Sequence, residues 1–422
     1  MPFVAPSIPH LVPLLNLSQK NALPIYVVGG ALRDTLLGRT CHDIDLITPG
    51  DPTAIAQAFS THLSGHWFWL DQQRRYSRVI VKKDKTVLQY DFAPLRADTL
   101  NEDLRLRDFT INAIACPLDD LTRWIDPLAG QADLENRLLR ECSAQSFPDD
   151  PLRMLKGLRH CAQFDLAIEA TTWQHCQMSA PQLAKVAGER IRQELALLFA
   201  QPSLRQILTL FHQSGLSRSL GFPDGNQELS FLQTKQERLT HVFPQAAHSY
   251  NQPFCDEFTL ASIAKFCFYF MQISIEHHNL LELLSSLKLS RKATRLIVFF
   301  HRLARTDSTL LFQQQTTDRM RLLWLEDLNA LLPEALLVLG VMERRGAMQV
   351  VWHRLYERCD QDLINGRVRL LVSGKRLKEL CPDCSGRRLG MLLKKLHTAE
   401  LKGKVSTPQQ AENYLIQWCE SH

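Results

Sequence analysis

The hydrophobic pattern of this chain changes once, and that change constrains the fold more than any other feature of the sequence. Before about residue 125, short runs of β-branched and aromatic residues are separated by turn signals or short helical stretches. These runs are Pro24–Val28, Asp43–Ile47, Ser77–Val81 and Thr86–Phe92. From about Asp149 onward, apolar residues recur at helical spacing instead. We therefore expect an α+β protein, with a small mixed sheet and helices followed by packed helices to the C terminus.

Composition narrows the class of protein. The 422 residues are 45% hydrophobic and 22% charged, which excludes disorder as the main state. Eleven cysteines form no disulfide framework, and the one close pair, Cys381 and Cys384, has no second pair to complete a zinc ribbon. The most apolar stretch, Phe266–Ile275, is about half the length of a helix that crosses a bilayer. No secretory signal is evident, so we expect a cytoplasmic protein with reduced thiols and no membrane partner.

Positive charge is concentrated near the C terminus. The segment from Arg367 to Lys404 holds 11 basic and 3 acidic residues, an excess larger than the net charge of +5 on the whole chain. Such a segment is either a solvated helix surface or a surface that tracks phosphates. The second interpretation makes four side chains candidate RNA contacts: Arg387, Arg388, Lys394 and Lys395.

A pair of glycines follows the first β-rich run. Gly29 and Gly30 lie between that run and a short helical stretch, Ala31–Leu37. Glycines allow backbone N–H groups to approach a ligand closely, and the N terminus of a helix attracts anions. This pattern predicts a phosphate site, although two adjacent glycines alone would more often mark a turn.

Two aspartates on the next run change the interpretation. Asp43 and Asp45 alternate on one strand, so both carboxylates project from the same face. Neighbouring anions repel unless a cation lies between them, and Mg²⁺ prefers carboxylate and phosphate oxygens. A phosphate cradle beside paired carboxylates predicts metal-assisted nucleotidyl transfer. Asp91, near the end of another run, is a candidate third catalytic acid.

At this point the sequence resembles the class II tRNA nucleotidyltransferases and bacterial poly(A) polymerases of the DNA polymerase β superfamily. Asp43 and Asp45 fall on the family's two metal carboxylates, and four further segments match its motifs in order. They are a nucleotide-binding signature at Gly29–Asp34, a ribose motif at Arg107–Ala113, a base-reading motif at Asp149–Arg153 and the last neck motif at Glu189–Glu194.

The resemblance implies a set of nucleotide-binding residues across head and neck. They are Gly29, Gly30, Arg33, Arg107, Asp108, Asn112, Asp149, Asp150, Arg153, Lys156, Arg159, Glu189 and Arg190. The sequence departs from the family pattern in three places. Leu106 stands where the ribose motif usually has a first arginine, Asp149 replaces a glutamate, and Lys156 stands where an arginine is common.

The base-reading motif also has a physical logic. Asp150 and Arg153 are three residues apart, so we expect them on one helix face. A carboxylate accepts a hydrogen bond from an exocyclic amino group, and a guanidinium donates to a ring nitrogen or keto oxygen. C and A offer an amino group beside an acceptor nitrogen, whereas U and G offer a keto oxygen there. One acid and one arginine could therefore select C and A without a template.

The resemblance implies a head at residues 1–140, a neck at 141–200, a helical body at 201–345 and a basic tRNA-binding tail at 346–422. It also implies addition of C, A or both, from CTP and ATP, to the 3′ end of tRNA, with Mg²⁺ as cofactor. Addition of only CC or only A, and poly(A) tailing, stay open. The segment Gly65–Asp71 lacks the arginine-rich run typical of the bacterial poly(A) polymerases.

Two other classes of function are alternatives. A catalytically inactive head could serve an RNA-binding protein, but the pair Asp43 and Asp45 argues against an inactive site. A transferase that modifies a small molecule would not need the long helical C-terminal part and its basic segment. Oligomeric state is not indicated by the sequence.

Overall fold

The computed structural model of the chain divides into two compact units, Met1–Asp224 and Gly225–His422. It describes residues 8–83, 86–202, 204–223, 250–305, 316–325, 331–342, 350–356, 371–380, 387–401 and 404–421, with a few isolated residues and residue pairs between them.

A mixed sheet of six strands organises the first unit. Its strands are β1 (Tyr26–Val28), β2 (Asp43–Thr48), β3 (His66–Asp71), β4 (Tyr76–Lys83), β5 (Thr86–Pro94) and β6 (Ala115–Pro117). They lie in the order β3-β4-β5-β2-β1-β6. Only β2 and β5 are parallel, and the other neighbours are antiparallel. Three helices accompany these strands, α1 (Leu11–Lys20), α2 (Gly30–Leu36) and α3 (Thr53–His62).

The two faces of this sheet have different environments. One face packs against α1 and α3 in a core that includes Leu46, Phe59, Val79 and Phe92. The other face carries a smaller cluster around Val28, Ile47, Leu104 and Ala115, to which no residue of β3 or β4 belongs. Since side chains alternate along a strand, Asp45 and Ile47 point to this second face. The carboxylates therefore lie where the apolar cover is partial.

A run of short elements continues the first unit beyond the sheet. The helices are α4 (Leu100–Arg105), α5 (Gly130–Glu135), α6 (Ser146–Asp149), α7 (Leu152–Phe164), α8 (Ala170–Ser179), α9 (Gly188–Ala200), α10 (Arg205–Gln213) and α11 (Leu216–Ser219). Two 3₁₀ turns lie at Thr110–Asn112 and Ala180–Lys185, and β7 (Leu138–Leu139) pairs in parallel with β8 (Ala167–Ile168). Thr99 and Glu102 form a reciprocal capping box at α4, which explains why that helix begins there.

The described part of the second unit is mainly helical. Its helices are α12 (Leu260–Gln272), α13 (His277–Ser286), α14 (Arg291–Leu303), α15 (Asp318–Trp324), α16 (Leu332–Met342), α17 (Gly374–Leu380), α18 (Arg387–Leu401) and α19 (Pro408–Ser421). Short two-stranded pairs join β9 (Pro253–Cys255) to β10 (Phe258–Thr259) and β11 (Leu363–Ile364) to β12 (Arg367–Val368). Helices α17 to α19 share a small core around Leu377, Leu392 and Leu415.

The α+β class predicted from the hydrophobic pattern is confirmed. All four predicted β-rich runs lie in the sheet, which gains β3 and β6 as strands that the pattern did not identify. The predicted helix over 31–37 is α2, and no described helix is both long and apolar enough to cross a membrane. The cysteine pair Cys381 and Cys384 lies outside the described residues. The four domain boundaries stay a prediction.

Candidate functional site

Three carboxylates lie side by side on the partly covered face of the sheet. The strand register places Asp45 opposite Asp91 on β5 and opposite Val28 on β1. Asp43 is exposed at the start of β2, Asp45 is half-buried and Asp91 is buried. Burial raises the pKa of Asp45, Arg107 opposes this rise, and the Asp91 carboxylate adds to it. A cation near Asp45 would relieve both the desolvation and the like-charge repulsion.

Asp91 is already neutralised within the protein. Arg78 on β4 donates from Nε and Nη2 to its two oxygens at 2.7 and 2.9 Å, and the Tyr76 hydroxyl donates to Oδ2 at 2.7 Å. A bidentate guanidinium pair is one of the stronger polar contacts in proteins. Asp91, the predicted third acid, therefore orients Arg78 and Tyr76, and both of its oxygens already accept hydrogen bonds.

The turn before α2 can be made only by glycine. Gly29 has φ of 74°, and a Cβ atom there would lie 3.1 Å from Nη1 of Arg107 and 3.2 Å from Oδ2 of Asp45. The turn thus brings a bare backbone segment against both a cation and a carboxylate. Gly30 starts α2 and lines a neighbouring cavity.

A buried polar network forms part of the wall of that cavity. Asn112 accepts a hydrogen bond from Arg33 at 2.6 Å and donates to Oδ1 of Asp108 at 3.0 Å. Lys156 from α7 contacts the other oxygen of Asp108 at 2.7 Å. Burial alone would raise the pKa of Asp108, but Lys156, His160 and the Asn112 hydrogen bond hold it well below its usual range. Asp108 is therefore a fixed anion that positions the cations around it.

His160 completes this network. Its ring lies 5.4 Å from that of Phe164, and its Nε2 is 3.4 Å from the Asn112 amide nitrogen. Burial, together with Arg159 and Arg33, lowers the pKa of His160 well below 6.5 despite the nearby Asp108. The imidazole is thus neutral at physiological pH, and it can accept from Asn112 without adding charge.

A cavity of about 430 Å³, here the neck cavity, lies between α2, the Thr110–Asn112 turn, α7 and α9. Its charged lining combines six cationic side chains with three acids. The lining residues are Gly30, Arg33, Arg96, Arg107, Asp108, Asn112, Asp150, Leu152, Arg153, Lys156, His160, Arg190 and Glu194. Such a lining is suited to a polyanionic ligand with a polar, planar end.

Asp150 and Arg153 both line the neck cavity, but the expectation that they share a helix face is wrong. Helix α7 begins at Leu152, and Asp150 has extended backbone, with φ of −145° and ψ of 95°. The cause is Pro151, because a residue before proline is driven out of the helical region. The Asp150 carboxylate pairs with Arg190 at 2.9 Å rather than with Arg153.

Arg153 is held by backbone carbonyls. Its Nη1 donates to the carbonyls of Arg107 and Ser146, each at 3.3 Å, and its Nη2 donates to that of Leu106 at 3.0 Å. These bonds use one side of the guanidinium. Among described residues no partner engages Nε–H or the second Nη2–H, which form the opposite edge. That edge can donate to a planar ligand.

A second cavity of about 560 Å³, here the sheet cavity, lies over β2, β4 and β5. Asp45, Tyr76 and Asp91 line it, and it shares Arg96 and Arg107 with the neck cavity. Arg96 is held by Asp103, which accepts from both Nε and the backbone N–H of Arg96 at 3.0 Å. Asp45 therefore faces the sheet cavity beside arginines that also face the neck cavity.

The structure does not bring every predicted residue to a cavity wall. Neither cavity is lined by Gly29, Asp43, Asp149, Arg159 or Glu189. Asp149 and Glu189 are exposed, and Arg159 contacts Glu194 at 2.9 Å. The sequence interpretation did not include Arg96, His160 and Glu194. A signal for His160 existed, because it lies seven residues after Arg153 and four after Lys156, on one side of α7.

The donors near Asp45 fit a hard divalent cation. Asp43 and Asp45 offer carboxylate oxygens, and Mg²⁺ commonly takes one or two protein carboxylates together with substrate phosphates and waters. No group of three or more His, Cys, Asp or Glu side chains among the described residues is arranged to hold a metal ion. Two carboxylates beside a cation-rich cavity are the simpler arrangement that substrate phosphates would complete.

The predicted tail contacts are partly described. Lys394 and Lys395 are exposed on α18, and Nζ of Lys395 lies 4.5 Å from the centre of the Trp418 ring. Arg387 and Arg388 belong to the first turn of the same helix, but their side chains lie outside the described part. Leu392 and Leu396 face the core between α17, α18 and α19. Lys394 thus lies on the side of α18 away from that core, whereas Lys395 lies at the edge of the core, over Trp418.

Two family models match the first part of the chain. Residues 25–140 match the poly A polymerase head domain, and residues 165–227 match the probable RNA and SrmB-binding site of polymerase A. These are the regions of the sheet and of the neck helices. The resemblance inferred from the motifs is confirmed.

Curated relatives match the same half of the chain. A CC-adding tRNA nucleotidyltransferase of Geobacter sulfurreducens is 41% identical over 47% of this chain and 45% of its own. An A-adding tRNA nucleotidyltransferase of Deinococcus radiodurans is 41% identical over 44% of this chain and 42% of its own. A CCA-adding enzyme of Streptococcus suis is 34% identical over 42% and 46%. The matches thus span about half the length of these relatives.

Solved structures extend the likeness of the fold to the whole chain. The Thermotoga maritima CCA-adding enzyme, complexed with tRNA, has a TM-score of 0.67 at 22% identity, over 98% of this chain and 97% of its own. A complex of a CCA-adding enzyme with ATP has a TM-score of 0.70 at 22% identity, over 96% and 94%. The fold, including its helical second half, is therefore that of CCA-adding enzymes.

Proposed function

We propose that this chain is a template-independent RNA nucleotidyltransferase that adds C, A or both, from CTP and ATP, to the 3′ end of tRNA. The 3′-hydroxyl of the RNA attacks the α-phosphorus of the nucleotide, the α–β phosphoanhydride bond breaks and pyrophosphate leaves. The observation that carries the proposal is the adjacency of two features. A cation-rich cavity that ends in Asp150 and Arg153 lies beside a sheet face that carries Asp43 and Asp45.

The neck cavity supplies nucleotide binding in this proposal. Arg107 and Lys156 are the cations that would receive the triphosphate, and Asp108 with Asn112 fixes where they stand. The Asp150 carboxylate would accept from the amino group of C or A, while the unengaged edge of Arg153 would donate to the neighbouring ring nitrogen. U and G place a keto oxygen against Asp150, and the carboxylate repels it.

The carboxylates supply the site of reaction. Asp43 and Asp45 would hold Mg²⁺, which when bound stabilises the phosphate charge as a Lewis acid. Burial and the neighbouring Asp91 make an uncompensated negative charge on Asp45 unfavourable, so the residue is suited to binding a cation there. Arg107 lies close enough to Gly29 and Asp45 to remain beside the phosphates as their charge changes.

The relatives support this class of reaction without choosing its product. Their names cover CC addition, A addition and CCA addition, and the first two are equally similar in identity. The decisive experiment incubates the purified chain with labelled CTP or ATP and with tRNAs that end before, within or after CCA. Addition to these ends supports the proposal and identifies the product. Long A tails on any RNA would show poly(A) polymerase activity, and no transfer at all would refute the proposal.

Three parts of the proposal rest on the sequence interpretation. These are Mg²⁺ as the particular cation, a cytoplasmic location, and contact between the basic tail and tRNA through Arg387, Arg388, Lys394 and Lys395. Mn²⁺ and Mg²⁺ titrations after removal of metal by EDTA would test the first of them directly.

A further inference from the structure

The sheet face beyond Asp45 carries aromatic and cationic side chains to which the proposed reaction assigns no role. In register outward from β2 lie Asp45, Asp91, Arg78 and Phe68, each on a neighbouring strand and on one face. Phe68 is half-buried and lies on β3, the edge strand. The apolar cluster on this face stops at β5 and includes no residue of β3 or β4. Aromatic and cationic side chains are thus left partly open to solvent beside the carboxylates.

The positions of the two cavities restrict where the RNA strand can lie. The sheet cavity, on the side of β4 and β5, is lined by Asp45 and Asp91, whereas the neck cavity lies on the side of α2 and meets the sheet cavity at Arg96 and Arg107. In nucleotidyl transfer the attacking hydroxyl and the leaving pyrophosphate lie roughly in line on opposite sides of the phosphorus. With the nucleotide in the neck cavity, the RNA strand must arrive over β5, β4 and β3.

We propose that the terminal nucleotides of the RNA 3′ strand lie across this face, with Tyr76 and Phe68 as stacking surfaces and Arg74 as a phosphate contact. This inference rests on the proposed function and adds to it the position of the acceptor strand. Single-stranded RNA is bound by basic grooves lined with aromatic rings, because every base has a face that can stack.

Each of the three side chains is suited to its task. The hydroxyl of Tyr76 is tied to Asp91 at 2.7 Å, which fixes its ring at the wall of the sheet cavity. Arg74 lines the same cavity with 86% of its side chain exposed, and its one ion pair among described residues is a long one, 3.7 Å to Asp71. A phosphate could therefore bind Arg74 without breaking a short ion pair. Trp67 and Trp69, by contrast, alternate to the opposite face of β3.

The occupant is RNA because of charge and position. Three basic residues lie on β4 and its turn, the exposed Arg74 and Lys82 and the half-buried Arg78. Arg78 neutralises Asp91, and the acid of the turn, Asp71, makes only a long ion pair with Arg74. An apolar protein surface would leave Arg74 unpaired, whereas a polyanion with flat bases satisfies both kinds of side chain. The reaction also requires an RNA end within reach of Asp45.

The experiment compares Phe68→Leu, Phe68→Trp and Arg74→Ala with the parent chain and with a control, Arg123→Ala. Arg123 is exposed in the loop after β6, at the opposite edge of the sheet. Leucine keeps the apolar volume of Phe68 but cannot stack, and tryptophan can. We expect Phe68→Leu to raise the KM for a tRNA acceptor hairpin about tenfold. Phe68→Trp and the control should leave that KM near the parent value.

Arg74→Ala should also raise the KM for RNA and reduce its dependence on log salt by about 0.7, the value for one phosphate contact on a single strand. The KM for CTP or ATP should not change in either variant. An unchanged KM for RNA in both Phe68→Leu and Arg74→Ala would overturn the inference while the parent enzyme still transfers nucleotides.

A readout independent of activity separates the two proposals. A hairpin with 4-thiouridine at its penultimate position is irradiated with the parent chain, and the crosslinked peptide is mapped. Crosslinks within residues 66–78 that weaken in Phe68→Leu support the inference, even if no nucleotide is transferred and the proposed function fails. Crosslinks confined to the neck or to α18 and α19 would overturn it.

Discussion

At the level of single residues, the site consists of charges that hold one another in place. Asp108 illustrates this: it is buried, yet it stays ionised because Lys156 and Asn112 contact its two oxygens. Asp91 is held in the same way by Arg78 and Tyr76. Asp45 differs, because burial raises its pKa and no described side chain forms an ion pair with it. Asp45, whose negative charge lacks an ion-pair partner among the described residues, is therefore the first residue to test.

We predict that Asp45→Asn lowers nucleotide transfer by roughly 10²-fold or more, because the variant removes the charge that would hold the cation. Asp43→Asn should act in the same direction. Transfer of labelled CTP or ATP to tRNA measures the effect, and circular dichroism confirms that the variants fold. Asp119→Asn, an exposed acid beyond β6, is the control. Near-parent turnover in Asp45→Asn would refute the carboxylate assignment.

Two adjacent aspartates allow a matched test of base choice. Asp150 lines the neck cavity, whereas Asp149 is exposed and does not. An amide at position 150 can donate to the keto oxygen of U, so Asp150→Asn should raise incorporation of U relative to C by about tenfold or more. Asp149→Asn removes the same charge one residue away and should keep the parent preference. Competition assays with all four nucleotides measure the ratio.

If Asp150→Asn rejects U as strictly as the parent does, the choice of base lies elsewhere. A change of preference in Asp149→Asn, without one in Asp150→Asn, would move the reading position to the residue that the family pattern places first.

His160 makes stability depend on pH in a known direction. Its folded pKa is lowered well below 6.5, so between these values the unfolded chain binds a proton that the folded chain does not. The stability it contributes is present above pH 6.5 and is lost as the pH falls. The slope contributed by this one group is at most about 1.4 kcal/mol per pH unit. Urea unfolding of the parent and of His160→Gln between pH 5 and 7.5 measures the difference.

Removing the imidazole should flatten the pH dependence of the free energy of unfolding. Equal slopes in the parent and in His160→Gln would show that His160 is protonated in the folded state, contrary to its neutral role beside Asn112.

At the level of helices and strands, α7 is tied to the segment between α4 and β6. Its Arg153 binds carbonyls of the loop after α4, and its Lys156 binds Asp108 beside the Thr110–Asn112 turn. Gly157 on the same helix allows Phe109 to approach, since a Cβ atom there would lie 2.8 Å from the ring. Arg153 and Lys156 therefore fasten α7 to the segment between α4 and β6 as well as lining the cavity.

Helix α5 meets the turn that carries Asn112 at one glycine. A Cβ atom at Gly130 would lie 2.1 Å from the carbonyl oxygen of Thr110, and backbone cannot yield cheaply. We predict that Gly130→Ala lowers the free energy of unfolding by at least about 2 kcal/mol. Thermal and urea unfolding measure it. The control is Gly390→Ala in α18, where nothing lies within 4 Å and alanine should stabilise by roughly 0.5–1 kcal/mol. A neutral Gly130→Ala would contradict this packing.

Across the whole molecule, the candidate catalytic residues and the basic segment lie in different units of the chain. The two cavities and the carboxylates belong to the first unit, and the basic segment belongs to the second. We predict that neutralising Arg387, Arg388, Lys394 and Lys395 raises the KM for full-length tRNA. The same change should reduce the slope of log KM against log salt by about 0.7–0.9 for each phosphate that the tail no longer neutralises. The KM for CTP or ATP should stay unchanged.

The control for the tail is a substrate rather than a variant. A short acceptor-stem hairpin that lacks the tRNA elbow should have the same KM with the parent and with the neutralised tail. If the KM for full-length tRNA is also unchanged at every salt concentration, the basic segment is a solvated helix surface.

Local patterns in the amino-acid sequence were enough to predict the fold class and the position of the sheet, and the resemblance to a family supplied 9 of the 13 residues that line the neck cavity. Alternation along β2 placed Asp43 and Asp45 on one face, and the turn at Gly29, with its positive φ, required glycine there. Such features are predictable because strand alternation and backbone freedom depend on a residue and its immediate neighbours.

The pairing of these residues, by contrast, depends on how distant segments pack. Pro151 already keeps Asp150 out of the helix of Arg153, but only packing pairs Asp150 with Arg190 and Asp91 with Arg78 and Tyr76. Packing also adds β3 and β6, His160 and the open aromatic face around Phe68. Ion pairs and cavity walls join residues that are tens of positions apart, and spacing along the chain carries no information about them. The sequence therefore shows which charges are available, whereas the folded structure sets the partner of each.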